Sequence, residues 1–217
     1  MQFEGNFSSD AGDADYILEQ GADAIVTNEQ AKHGLRSMYC DGQLYGITTK
    51  FKDGAFFNSE WTVEAWHFPQ AKPSGKEWTL GMDDGSSNYA GWKIFRDSSN
   101  ALRLQVHSEG SAVINQLSDS KFPLTSGEWS HIAVSFDGER FRVFVNGNLA
   151  LSEIYTGIEF THADLKLGGR HTKDSGSPSN TKTRGWFDDF RVTGACRYTE
   201  DFEPPGEPPQ KRKSKLV

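Results

Sequence analysis

The sequence predicts an all-β protein whose antiparallel strands form a sandwich or a barrel. Short stretches of alternating apolar and polar residues recur about every 8–12 residues, with polar turn residues between them. Glycine (22 residues) and aromatic residues (15 Phe, 6 Trp and 6 Tyr) are frequent, as expected where tight turns join many strands. No amphipathic stretch predicts a helix longer than about two turns. A chain of 217 residues is long enough to bury its core in one domain.

The clearest element is a three-stranded meander within residues 127–151. Residues 132–136 alternate apolar side chains with small ones, which is the period of a half-buried strand. Asp137-Gly138 follows and suits a tight hairpin turn, because both residue types tolerate a positive φ. Residues 141–145 alternate again, and Asn146-Gly147 supplies a second turn. The pattern predicts three consecutive antiparallel strands.

The other predicted strands follow from the same alternation and from turn residues at their ends. In residues 61–68, Trp61, Val63 and Ala65 are predicted to share one face. Residues 8–20 and 170–183 are polar and are predicted to be loops. Prolines at 204, 205, 208 and 209 end the domain, because proline cannot join a strand ladder. The remaining predicted strands are residues 3–7, 24–26, 37–40, 44–47, 78–82, 91–96, 102–107, 113–117, 154–160, 165–169 and 185–192.

Charge divides the chain into an acidic body, residues 1–205, and a tail, residues 206–217. The net charge is −7, which disfavours non-specific binding of nucleic acid by the body. The tail contains four basic residues and one acidic residue, Glu207, so its net charge is +3. The rest of the chain therefore carries a net charge of −10. We expect the tail to bind a partner such as an acidic neighbouring subunit. Its basic residues are Lys211, Arg212, Lys213 and Lys215.

Targeting signals and cysteines are scarce. No apolar run is long enough to span a bilayer, and the N-terminus lacks the basic start and apolar core of a signal peptide. We therefore expect no membrane partner.

Cys40 and Cys196 are predicted to be free thiols, while a disulfide between them would require an oxidising compartment.

Several ordered motifs resemble a known family. Gly-Glu-Trp-Ser-His-Ile-Ala-Val at 127–134 is similar to its "G-x-W-x-H-I-A-V", and Arg-Val-Phe-Val-Asn-Gly at 142–147 to its "L-F-V-N-G". Residues 186–192 resemble its "I-D-D-L-R-I" stretch, and residues 197–205 its closing "A-R-Y-T-x-x-F-x-P-P". The family is that of the laminin-G-like, concanavalin-A-like jelly rolls, in the version found in bacteriophage particles. Cys40 departs from it, because an aromatic residue is usual there.

The resemblance covers about residues 1–205 and implies two curved antiparallel sheets packed face to face. It implies a non-catalytic module of a virion, either a capsid decoration protein or a tail protein. Its expected partners are other virion proteins, copies of itself and host surface glycans, without nucleic acid. The protein would then be made in the host cytoplasm. A free-standing lectin and a polysaccharide hydrolase are the alternatives, because this fold hosts all three functions.

The pattern of acids does not favour hydrolysis. Retaining glycosidases need two carboxyl groups about 5–5.5 Å apart, which acids two positions apart on a strand can approach at about 6.6 Å. Glu60 and Glu64 are four positions apart. Asp188 and Asp189 are adjacent, so they are predicted to point to opposite faces. We therefore predict no catalytic residues.

Calcium and glycan sites are implied instead. The resemblance implies a structural calcium ion that ties the first strand to the last, with Glu4 and Asp188 as the best candidate ligands. It also implies a structural role for His131. Aromatic platforms and nearby amides or acids would hold glycans, although core packing explains most aromatic residues more simply. The glycan-binding candidates are Trp78, Asp83, Asp84, Asn88, Tyr89 and Trp92, with the loop 170–183 as a further surface.

Overall fold

The structure is a computed structural model that describes fourteen strands and one 3₁₀ helix, Gly54–Asn58. It describes residues 16–20 (backbone only), 24–42, 46–51, 54–82 (backbone only at 54–55), 90–109, 111–157, 159–160, 164–169 and 183–207. The strands are β1 Tyr16–Gln20, β2 Ala24–Thr27, β3 Ser37–Asp41, β4 Ile47–Phe51, β5 Trp61–Pro69, β6 Glu77–Met82, β7 Gly91–Arg96, β8 Leu102–Ser108, β9 Ser111–Leu117, β10 Ser130–Phe136, β11 Arg140–Val145, β12 Asn148–Ile154, β13 Asp164–Leu167 and β14 Arg184–Thr193.

The strands form two seven-stranded antiparallel sheets. Sheet A has the order β1-β4-β13-β6-β7-β8-β9, and sheet B has the order β12-β11-β10-β5-β14-β3-β2. Hairpins join β6 to β9, β10 to β12 and β2 to β3, whereas β4, β13, β5 and β14 pair with strands that are distant in sequence, so the chain also crosses between the sheets. The all-β sandwich predicted from the sequence is confirmed.

The core lies between the two sheets and centres on a pair of indoles. Trp61 of sheet B stacks on Trp92 of sheet A, with ring centroids 4.7 Å apart and planes 16° from parallel. Both side chains are fully buried, and Phe57 and Phe141 pack edge-on against Trp61. Removing a buried ring of this size typically costs about 3–5 kcal/mol. The pair therefore fixes how the two sheets face each other.

Most predicted strands are present, with three corrections. The predicted loop 8–20 contains β1, because Tyr16–Gln20 pair in register with Ile47–Phe51. The predicted strand 44–47 lies later, as β4. No strand follows Ile154 up to Phe160 in the described residues, because β12 already carries the pairing with β11 to its end. The predicted strand 3–7 lies outside the described residues, as does 170–182 of the predicted loop.

Residues 195–204 form a C-terminal strap across the outer face of sheet B. At one end the Thr62 hydroxyl donates to the carbonyl of Ala195 and accepts from the amide of Arg197, both at 2.9 Å. At the other end the amide of Phe202 donates to the carbonyl of Gly147 at 2.9 Å. Tyr198 stacks on Phe202 between these anchors, with ring centroids 3.5 Å apart. The strap therefore spans β5, β10 and β11.

Both cysteines are free thiols. Cys40 is buried and Cys196 is half-buried. Across the described stretches, we find no helix with the length and apolar character needed to cross a bilayer.

Candidate binding surface

Two of the predicted glycan-binding residues are buried. Trp92 lies in the core, stacked on Trp61, so neither face of its ring is open. A β-bulge between Trp78 and Leu80 turns Trp78 away from the core, where it packs edge-on against Phe95 at 5.5 Å, but its exposure is also 0%. The prediction that Trp78 and Trp92 bind glycans is therefore corrected, because neither ring is exposed. The other four, Asp83, Asp84, Asn88 and Tyr89, lie outside the described residues.

The structure instead brings four aromatic rings together on the outer face of sheet B. Trp186 of β14 pairs in register with Tyr39 of β3 on one side and with Phe68 of β5 on the other. The ring centroids of Tyr39 and Trp186 are 4.8 Å apart, and those of Trp186 and Phe68 are 5.6 Å apart. Trp129, which immediately precedes β10, contacts Phe68 at 5.5 Å. We call Tyr39, Trp186, Phe68 and Trp129 the aromatic row.

The aromatic row faces away from the core. The residues that alternate with it, Met38, His67 and Phe187, are fully buried between the sheets. Tyr39, Phe68 and Trp129 are half-buried, and Trp186 lies between its neighbours with 6% of its surface exposed. The row extends onto β2 through Ile25, which pairs with Tyr39 and is 52% exposed. A contiguous apolar strip of this kind is a candidate binding surface.

Polar side chains border the aromatic row along one side. Asp41 and Arg184 pair in register between β3 and β14, two residues beyond Tyr39 and Trp186. The Tyr39 hydroxyl donates to Oε1 of Gln70 at 3.3 Å. Tyr39 and, to a smaller extent, Asp41 raise the pKa of the exposed Arg184 guanidinium. The surface thus combines apolar rings with an amide, a carboxylate and a cation.

Two segments cover other parts of the same face. The C-terminal strap lies over β5, β10 and β11. The loop after β2 lies over β14 and β5, where the ammonium of Lys32 sits 3.8 Å from the ring centroid of Trp66. Trp66 is consequently only 7% exposed, although its side chain lies on the same outer face as that of Phe68. The aromatic row is a part of the outer face that these segments leave accessible.

A buried ion pair holds the loops beside the aromatic row. Arg96 lies 2.9 Å from Glu77, and the two side chains are 0% and 6% exposed. Arg96 also donates to the Ser126 hydroxyl at 3.3 Å and to the carbonyl of Ala71, while Glu77 accepts the Arg184 amide at 2.7 Å. Burial raises the pKa of Glu77, and the charge of Arg96 opposes this. The pair fixes the loops that lead to Trp129 and from Phe68.

Glu64, the acid on which the hydrolase alternative depends, is 1% exposed beneath the C-terminal strap. It accepts from Nε2 of His131 at 3.1 Å, from Nη2 of Arg191 at 2.6 Å and from the Tyr198 hydroxyl at 2.9 Å. Burial alone would raise the pKa of Glu64, but the hydrogen bond from His131 and the charges of Arg191, His131 and Arg197 outweigh burial and lower it. Glu64 is thus an ionised carboxylate enclosed by three donor residues and is closed to a substrate from solvent.

Asp188 and Asp189 do not point to opposite faces, which corrects the expectation from alternation. The register of β14 breaks between Asp188 and Arg191, and Asp189 adopts a φ of 48°. Both carboxylates therefore approach the loop after β2. Asp188 Oδ2 accepts from the amides of Lys32 and His33 at 3.0 and 3.1 Å, and Asp189 Oδ2 contacts Nδ1 of His33.

This acidic pair has features that fit a hard cation. Burial, and then the charge of Asp189, raise the pKa of Asp188 to about 6, and burial also raises the pKa of Asp189. Oδ1 of Asp189 is buried and has no hydrogen-bond partner. Carboxylate oxygens are the ligands that calcium prefers. Within the described stretches, no group of three His, Cys, Asp or Glu residues could hold a metal, and Glu4 lies outside them.

Comparison with known families identifies the class of protein. The model of the family described as the concanavalin A-like lectin/glucanases superfamily matches residues 41–201, well over half of the chain. The chain belongs to this superfamily. No curated protein matches it in sequence.

Solved structures show the same fold at low sequence identity. The chain is similar to the botulinum neurotoxin serotype D binding domain (TM-score 0.63, 11% identity), with 86% of this chain and 45% of that one covered. It is similar to domain 4 of AbnA, an extracellular arabinanase of Geobacillus stearothermophilus, in complex with arabinotriose (0.53, 17%, covering 82% and 81%). It also resembles a sialidase of Trypanosoma rangeli (0.58, 13%, covering 83% and 27%). The chain thus spans less than half of the toxin and sialidase chains.

Proposed function

We propose that this chain is a non-catalytic adhesion module that binds glycans on the aromatic row. Sugars present apolar C–H faces that pack on aromatic rings, and their hydroxyl groups need polar partners at the rim. The aromatic row offers both, because Gln70, Asp41 and Arg184 border its rings. This juxtaposition is the observation that carries the proposal.

Two further observations support it. Domain 4 of the arabinanase, which has this fold over most of its length, was solved with arabinotriose bound. Glu64, a buried acid of the outer face, is held by His131, Arg191 and Tyr198, which favours binding over hydrolysis. The proposal therefore assigns the outer face of sheet B to recognition.

A glycan array with matched variants tests this proposal. Trp129→Ala and Phe68→Ala remove rings from the row, while Tyr155→Ala removes a half-buried ring that lies outside it. We expect the first two variants to bind at least about tenfold more weakly, since aromatic contacts contribute about 0.5–1.5 kcal/mol beyond the area they bury. Tyr155→Ala should bind like the unaltered protein. Absence of glycan binding by the unaltered protein, or equal binding by all variants, would overturn the proposal.

We further propose that the module is carried on a bacteriophage particle, as a capsid decoration or tail protein. The motifs at 127–134 and 186–192 and the basic residues Lys211, Arg212, Lys213 and Lys215 support this context. The test is binding to particles that lack the protein, with and without residues 210–217, at increasing salt. Tail-dependent binding that weakens with salt is expected, because exposed charges are screened. Glycan binding without particle binding would identify a free-standing lectin instead.

We also propose that Asp188 and Asp189 hold a structural calcium ion together with Glu4. The orphaned Oδ1 of Asp189 supports this, because a cation would satisfy a buried oxygen that lacks a donor. A bound calcium ion would neutralise two buried carboxylates, and its role would be to stabilise the fold.

A further inference from the structure

We infer a second binding site, for an oxyanion, on the outer face of sheet A, built from Arg103, Gln105 and Asn115. The two sheets pack through their inner faces, so this site and the aromatic row lie on opposite sides of the sandwich. Its occupancy is therefore independent of the proposed glycan binding at the row.

The strand register brings the three residues together. Gln105 of β8 pairs directly with Asn115 of β9, and Arg103 lies two residues before Gln105. Leu104 and Ile114, which alternate with them, are buried in the core, so the three polar side chains point outward. β9 is the edge strand of sheet A, and Asn115 is exposed. A ligand can therefore approach from the open edge.

Hydrogen bonds fix the orientation of the Asn115 amide. Its Oδ1 accepts from Nη1 of Arg103 at 3.0 Å and from Nε2 of Gln105 at 3.2 Å. Two donors on the same oxygen identify that atom as the carbonyl oxygen, so the NH₂ group of Asn115 points away from them. The Arg103 guanidinium also reaches the backbone carbonyl of Asn115 at 3.4 Å. Arginine and asparagine thus hold each other in place.

Arg103 retains unused donors. None of the ion pairs among the described residues includes Arg103, and its Nε atom is buried without a hydrogen-bond partner. Nη1 donates to Asn115, whereas Nη2 has no hydrogen-bond partner among the described residues. The guanidinium is therefore held in position by Nη1 while the donors of Nη2 are unfilled.

The unfilled groups select the class of ligand. Nη2 of Arg103 and Nδ2 of Asn115 are donors, and Oε1 of Gln105 is an acceptor beside them. A guanidinium with an adjacent amide donor matches the two oxygens of a carboxylate or phosphate. The ligand is accordingly an oxyanion, such as the carboxylate of an acidic sugar or a phosphate group.

Titration calorimetry at low salt with three probes tests the site: trigalacturonate, inorganic phosphate and the neutral galactotriose. We expect one of the two anions to bind, with galactotriose at least about tenfold weaker, because hydrogen bonds to a charged group contribute more than neutral ones. Binding of trigalacturonate alone identifies a carboxylate site, and binding of phosphate alone identifies a phosphate site. Absence of both, or equal binding of galactotriose, would overturn the inference.

Substitutions locate the binding. Arg103→Met removes the cation, and Asn115→Asp places a competing carboxylate beside Arg103 while preserving size and fold. Both should weaken anion binding about tenfold or more. Arg140→Met is the matched control, because Arg140 also reaches across to a neighbouring strand, donating to the Ser152 hydroxyl at 3.0 Å. Unchanged binding by Arg103→Met and Asn115→Asp would place the anion elsewhere. Trp129→Ala should leave this binding intact, which separates it from the aromatic row.

Discussion

His131 and Glu64 face each other across β10 and β5, with Nε2 of His131 3.1 Å from Oε2 of Glu64. The contact lies beneath the C-terminal strap, whose Tyr198 hydroxyl completes the coordination of the same oxygen at 2.9 Å. Glu64, a residue of sheet B, therefore joins the strap to the sheet through its buried carboxylate.

Removing the charge of this carboxylate should destabilise the protein, because the proposed role of Glu64 is structural and not catalytic. Glu64→Gln leaves the half-exposed Arg191 without its charge partner, so we expect a loss of about 2–3 kcal/mol in the free energy of unfolding. Glu60→Gln, at an exposed position on the approach to β5, should cost little. Urea unfolding measures both. Release of reducing ends from β-glucans by the unaltered protein, abolished in Glu64→Gln, would contradict the structural role.

His67 should make the protein sensitive to mild acid. Its ring stacks on Phe187 with centroids 4.2 Å apart, both ring nitrogens are buried without hydrogen-bond partners, and burial lowers its pKa well below 6.5. Below pH 6.5 the unfolded state therefore binds a proton that the folded state does not. Stability should fall by up to about 1.4 kcal/mol per pH unit, down to the folded pKa.

The matched variant is His67→Phe, which keeps the stacked ring and removes the titrating group. Urea unfolding at pH 7, 6 and 5 should show a smaller pH slope for His67→Phe than for the unaltered protein. Asp188 has the opposite effect, because its raised pKa makes stability rise as pH falls from about 6 towards 4. Asp188 is present in both proteins, so the difference between their slopes reports the contribution of His67 alone. Equal slopes would show that folding does not lower the pKa of His67.

Calcium should raise the melting temperature through Asp189. If calcium binds the folded state alone, saturation at about 100 times Kd adds about 2.7 kcal/mol. Asn tolerates the positive φ of residue 189, so Asp189→Asn should fold but lose most of the calcium response. The exposed Asp119→Asn should keep it. Identical melting of the unaltered protein in calcium and in EDTA would rule out the proposed ion.

Gly147 should be essential for seating the C-terminal strap. Its φ is +77°, and an added Cβ would lie 1.8 Å from the carbonyl oxygen of Phe202. Gly147→Ala should therefore displace the strap and speed hydrogen exchange at the Phe202 amide, which is bonded to the Gly147 carbonyl. Gly138→Ala is the control, because its φ is +94° but nothing lies within 4 Å of the added Cβ. It should cost about 1 kcal/mol of backbone strain and leave that amide protected. Equal exchange in both variants would contradict the role of the close contact.

Local patterns in the sequence predict the strands well where alternation is regular. The meander follows from residues 132–145, and its two turns fall at Asp137-Gly138 and Asn146-Gly147 as expected. The faces of β5 also follow, since Trp61, Val63 and Ala65 all reach the core. Alternation failed at the bulges in β6 and β14. A bulge shifts every later side chain by one face, and no residue at 78–80 or 188–191 signals it unambiguously.

The candidate surfaces were missed because each depends on register between strands that are far apart in sequence. Tyr39, Phe68 and Trp186 come from three separate segments and become neighbours only through the order β5-β14-β3. The sequence contained one signal for these residues: each adjoins a residue that faces the core, as Phe68 adjoins the buried His67. Arg103 and Asn115 are likewise joined across a hairpin whose bulge sets the pairing. Turn and alternation rules describe one strand at a time, so they do not predict contacts between neighbouring strands.

The C-terminal strap ends near the part of sheet B that carries Trp129. The strap ends where Phe202 meets Gly147, and the adjacent Asn146 amide bonds the carbonyl of His131, two residues after Trp129. The ten residues that follow Glu207 extend at most about 35 Å. If Lys211–Lys215 hold a shell subunit, as proposed, that contact lies within about 35 Å of Glu207. A long polymer bound at the aromatic row would then compete with the shell for space, whereas a short oligosaccharide would not.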